Sequence, residues 1–169
     1  MSYSYIGSAD GPTSVFLAGK LGMSWLNIFG LILIILLLIP NIIYAVKFRD
    51  VENLCKNKLM NVLEQIGRYA SMFLMVFNIG IAEFGFVSSD AFVVYFLGSI
   101  ALMLAYWSIW VIFFARPSMW NRMALAIIPT LLFLLSGCTL GHILLIITAI
   151  IFGIGHIYVT YINAKLSEE

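Results

Sequence analysis

Charge is what this chain has least of: Asp, Glu, Lys and Arg make up 10% of its 169 residues, against about a quarter in a soluble domain. A fully solvated globular surface is therefore excluded. With a net charge of +1 and no basic stripe carrying interleaved aromatics, there is no footprint for nucleic acid. Cysteine and histidine are equally scarce, two of each. Cys55 and Cys138 form neither a CxxC nor a Cys/His cluster, which leaves no zinc or redox motif. No G-x-S-x-G, H-E-x-x-H or phosphate-binding loop occurs, so no catalytic constellation assigns roles to an enzyme acting on its own. The first residues do not read as a secretory signal either, since Tyr3, Ser4 and Asp10 stand where Lys or Arg would be expected.

What fills the chain instead is apolar. Hydrophobic residues make up 63%, with a mean hydropathy of +1.06, so the expected environment is lipid. Five apolar runs, 24–46, 66–87, 91–115, 119–136 and 142–163, each approach the roughly 20 residues needed to cross the hydrocarbon. The expectation is an all-α integral membrane protein, a single membrane domain over 1–169 with about five transmembrane helices. A short N-terminal half-helix or re-entrant segment within 1–22 precedes them. Residues 47–65 hold the densest charge, Glu64 included. With Leu54, Leu59, Val62 and Leu63 at helical spacing, they read as a loop with a short amphipathic surface helix. The rings of Tyr106, Trp107, Trp110, Phe113 and Phe114 are expected at headgroup level. Pro129 should bend the fourth span, and Gly153 and Gly155 should let the fifth approach a neighbour closely.

Polar residues, Gly and Pro are densest at the N-terminus, Ile6-Gly7-Ser8-Ala9-Asp10-Gly11-Pro12-Thr13-Ser14-Val15-Phe16. Pro12 pre-sets a helical φ without needing an amide donor, and Asp10 can cap the turn that follows. The Asp10 carboxylate with the Ser8 and Thr13 hydroxyls also forms a set of hard oxygen ligands for a small cation. The run IGSADGPTSVF resembles the signature of the membrane-embedded β subunit of sodium-ion-translocating decarboxylases, which reads much like G-[SAG]-A-D-G-P-T-[AS]-I/V-F. The resemblance covers residues 6–20. It implies a motif at a break in a membrane helix, with Asp10 binding and moving Na⁺ during decarboxylation of a biotin-carried carboxyl group. It further implies decarboxylase subunits as partners and Na⁺ as the one associated ion, with no other cofactor. The expected role is that of a partial or accessory subunit. The alternative is a small structural or regulatory membrane protein that binds another membrane protein or forms oligomers and moves no ion.

Inside the spans four ionisable residues stand out. Glu83 lies about one turn from the end of the second span and is a functional candidate by its position. Arg68, near the other end, reads as an interfacial anchor. His142 and His156 are 14 residues apart, about 40° around a helix and about 21 Å along it. They are expected on one face of the fifth span, hydrogen-bonded to a neighbouring helix, with His142 at a depth similar to Glu83.

Orientation follows from the basic residues. Lys47, Arg49, Lys56, Lys58, Arg68, Arg116, Arg122 and Lys165 fall on one side of this topology and only Lys20 on the other, which puts the N-terminus outside the cell membrane and the C-terminus in the cytoplasm. Cys55 and Cys138 then lie on opposite sides and cannot pair. In a cysteine-free background in intact cells, Ser89→Cys should react with an impermeant maleimide and Ser167→Cys should not. The reverse pattern would invert the topology.

Overall fold

The computed structural model describes residues 25–48, 53–79 and 86–167, and the motif segment 1–22 and Glu83 lie outside them. The described chain folds into five α-helices: α1 (Ile28–Lys47), α2 (Lys58–Val76), α3 (Ser89–Ala115), α4 (Met119–Thr139) and α5 (Ile143–Leu166). Of these, α1, α3, α4 and α5 are long and apolar enough to cross a bilayer, as in a multi-pass membrane protein.

Local chemistry explains the helix starts. Asn27, Asn57, Ser88 and Ser118 each accept a hydrogen bond at their side-chain oxygen from the amide three residues on, the N-cap arrangement. The turn between α4 and α5 is closed by Gly141, whose φ of +63° is the left-handed conformation that glycine adopts without strain. Around it the His142 amide donates to Gly137 O at 2.8 Å and the Gly141 amide to Cys138 O at 3.4 Å, which finishes α4 as a Schellman motif. The His142 side chain then starts α5, its Nδ1 accepting from the Leu145 amide at 3.3 Å. One residue thus ends one helix and caps the next.

The second helix departs from the sequence expectation. The surface helix expected before residue 65 and the span expected at 66–87 are joined in α2, which begins at Lys58 and ends at Val76. Its outward face is Leu59, Val62, Ile66, Tyr69 and Phe73, interrupted by Gln65, while Glu64, Gly67 and Ser71 are buried. The helix is polar toward its neighbours and apolar toward its surroundings. Nineteen residues rise about 28 Å, so α2 matches the other helices in length but not in composition.

Antiparallel α2 and α5 make the most extensive contact in the bundle, followed by α4 with α5 and α3 with α4, whereas α1 packs more lightly against α2 and α3. A Cβ placed on Gly67 would lie 2.5 Å from Phe152 N, and one on Gly155 would lie 2.5 Å from Glu64 N. Backbone meets backbone at both points. The rings expected at headgroup level are largely turned inward: Tyr106, Trp110 and Phe113 are buried, and Tyr44 on α1 packs at a tilt against Trp110 and Phe113 with centroids 5.5 and 5.7 Å away. Trp107 and Trp120 remain exposed. The ends of α1, α3 and α5 and the starts of α2 and α4 share one end of the bundle, which carries Lys47, Lys56, Lys58, Arg116, Arg122 and Lys165. Cys55 belongs to that end and Cys138 to the other, and both are free thiols.

Gly155→Ala must push two backbones apart, because Glu64 N cannot move independently of α2. It should cost about 1–3 kcal/mol in detergent-solubilised protein. Gly98→Ala meets only the flexible Leu135 Cδ2 and should change stability far less, offset by the better helix propensity of alanine. Equal unfolding midpoints for the two variants would contradict the backbone contact.

Candidate functional site

The close approach of α2 and α5 brings ionisable side chains together inside the bundle. Gly155 lets α5 lie against Glu64, and the next residue, His156, donates from Nδ1 to Glu64 Oε1 at 2.8 Å. The same oxygen accepts from Arg68 Nη2, one turn along α2. Glu64 is buried, His156 is mostly so, and the Arg68 side chain is about one-third exposed. His156 stacks on Phe152 with ring centroids 4.7 Å apart, which fixes its plane. A carboxylate oxygen only accepts, so the hydrogen bond puts a proton on Nδ1.

These residues back onto a cavity of about 1070 Å³ in the half of the bundle nearer the basic end. Arg68 and His156 form part of its wall, and all five helices contribute to it. On the α1 side, Asn41 Nδ2 donates to Leu37 O at 2.8 Å and to the Tyr106 hydroxyl at 2.7 Å, one residue past Pro40. Beside the start of α2, Asn163 Oδ1 accepts from the Leu54 and Cys55 amides at 2.8 and 3.0 Å, tying the connecting segment to α5. In the opposite half, Tyr95 is buried with its hydroxyl facing Ser136 and Asn27.

The expected site residues divide cleanly. Arg68 is paired with Glu64 at the helix–helix contact, and His156 bonds a neighbouring helix. His142 is not on the helix with His156: it precedes α5 as a cap, buried beside the Phe77 backbone. The two histidines therefore do not share a helical face. Asp10, Ser8, Thr13 and Glu83 fall outside the described residues. Glu64, the centre of the cluster, was read from the sequence as one of a run of solvated charges. The signal for it was present in the i,i+4 spacing of Glu64 and Arg68 on one stripe with Gly67 and Ser71. Among the described residues no group of three or more His, Cys, Asp or Glu is placed to hold a metal ion.

The chemistry available at this point is that of a carboxylate held between a guanidinium and an imidazole in an apolar bundle. Such a group pairs charge, takes a proton from its imidazole neighbour or meets a cation. The class of protein is an all-α bundle with four helices fit to cross a membrane and one polar helix turned inward. Compared with protein-family models, curated proteins and solved structures, the chain gives no match.

Removing one partner of a buried ion pair leaves the other uncompensated, at a cost of about 3–5 kcal/mol when both are fully buried. Because Arg68 is partly solvated, Glu64→Leu should destabilise by about 2–3 kcal/mol, measured by unfolding in mixed micelles. Glu64→Leu combined with Arg68→Leu should recover part of that loss. Strict additivity of the two single changes would show that the pair is not coupled.

Proposed function

We propose that this chain is a multi-pass membrane protein of cation-linked transport, acting as a partial or accessory relative of the β subunits of sodium-translocating decarboxylases. The observation that carries the reading is the buried Glu64 shared by Arg68 and His156. Ionisable groups inside a membrane bundle are costly, and where they occur they mark ion paths and charge relays. The choice of sodium rests on IGSADGPTSVF, in which Asp10 with Ser8 and Thr13 supplies oxygen ligands. A single carboxylate with few fixed ligands binds Na⁺ weakly, so a decarboxylase subunit or a second copy of the chain completes the site. The gathering of Lys47, Lys56, Lys58, Arg116, Arg122 and Lys165 at one end supports a cytoplasmic position for that end in the cell membrane.

A second reading has its own observation. The paired notches at Gly67 and Gly155 make the Glu64 cluster a lock between α2 and α5, which suits a structural or regulatory membrane protein with no transport role. The two readings differ in what sodium does. In the first, purified protein gains thermal stability with Na⁺ but not with K⁺, and Asp10→Asn abolishes the gain. Glu64→Gln, which keeps a hydrogen-bonding side chain, then lowers sodium uptake into proteoliposomes by tenfold or more while helix content is retained. Stabilisation that is the same for Na⁺ and K⁺, or unchanged in Asp10→Asn, would leave the structural reading standing.

A further inference from the structure

The cavity near the basic end has a charge asymmetry that the sodium reading does not use. Among the described residues its wall contains Arg68 and Arg122 but no Asp, Glu or Lys. The Arg68 charge is matched from behind by Glu64. Arg122 has no carboxylate partner among the described residues, and its Nη1 donates only to the Ser167 hydroxyl, at 2.7 Å. The wall therefore presents one uncompensated positive charge. Beyond the arginine the lining is largely apolar and aromatic, with Trp110, Phe113, Phe133 and Phe152 among it. Trp110 is only 6% exposed and sits edge-on to Tyr106 with ring centroids 6.2 Å apart, so its indole is a fixed part of that wall. At about 1070 Å³ the cavity reaches the upper end of small-molecule sites, about 300–1,000 Å³.

We propose that this cavity binds a singly charged anionic amphiphile, its acidic head on Arg122 and its apolar body along the aromatic wall. The head is a carboxylate or a phosphodiester, both of which accept the paired N–H groups of a guanidinium. The body needs no specific polar contact. Nothing in this assignment depends on Na⁺ or on Asp10.

The test uses the full chain and quenching of tryptophan fluorescence by bromine. In maltoside micelles, dibromostearate should quench with saturation, and Trp110→Phe should remove the saturable component. Arg122→Gln should raise the half-saturating concentration about tenfold, the effect of one lost charge-assisted hydrogen bond. Leu38→Phe, which narrows the cavity from the α1 side, should weaken quenching with helix content unchanged. Nanodiscs carrying brominated phosphatidylglycerol or brominated phosphatidylcholine identify the source. Quenching by the anionic lipid that depends on Arg122 assigns a bilayer lipid, and quenching by dibromostearate alone assigns a free carboxylate. Equal quenching by phosphatidylcholine and both anionic probes, indifferent to Arg122→Gln, would reduce the effect to ordinary lipid contact and overturn the proposal. Absence of saturable quenching with either anionic probe would do the same.

Discussion

Everything distinctive in this bundle depends on how closely α2 and α5 approach. Two glycines on facing helices remove the Cβ atoms that would hold the backbones apart, and each meets main chain of the other helix. Only at that separation does Glu64 reach His156 while keeping Arg68 on the same oxygen. The arrangement also meets a requirement of the environment. A carboxylate removed from water costs several kcal/mol unless it is paired and hydrogen-bonded, and in this half of the bundle the two partners come from α2 itself and from α5. Helix packing and electrostatics are one feature here, because the glycines set the distance and the distance satisfies the charge.

The contrast between α2 and the other helices shows what the sequence makes legible. The runs that became α1, α3, α4 and α5 are apolar around most of their circumference, so a hydropathy window sees them whatever their orientation. Their boundaries moved by only a few residues, set by side-chain caps such as Ser88 and Ser118. In α2 the polar residues lie on one stripe and the apolar ones on another, and a window average mixes the two. The same pattern describes a helix lying on a surface and a helix turned polar-side inward, and only the partner on α5 decides between them. Glu64 was hidden for that reason: it closes the stretch 47–65 in which charge is densest, whereas its neighbours in space are Gly155 and His156. The histidines show the opposite error. A spacing of 14 residues suits a shared helical face, but Gly141 places His142 in the turn, where its ring caps α5 instead of lying along it.

Lighter packing of α1 follows from different chemistry. Gly30 brings it against the end of α2, beside Met75. Toward the basic end, contact is made by rings and by the Asn41–Tyr106 hydrogen bond. Between these attachments Ile34 and Leu37 are buried in the core, and the cavity lies along α1 from Leu37 toward the basic end. Pro40 removes one backbone donor in this stretch, and the Asn41 side chain adds a bond back to Leu37 O in the adjoining turn.

The inverted polarity of α2 bears on the order in which the protein is assembled. During synthesis α2 emerges before α5, yet the stripe of Glu64, Gly67 and Arg68 has its main partner in α5. Until α5 arrives, α2 is a poor candidate for lipid, although its Leu59–Phe73 face is suited to it. The α4–α5 hairpin needs no such wait, because His142 completes both of its helix ends locally. Docking of that hairpin is then the step that draws α2 into its place, so a later part of the chain determines where an earlier helix comes to rest.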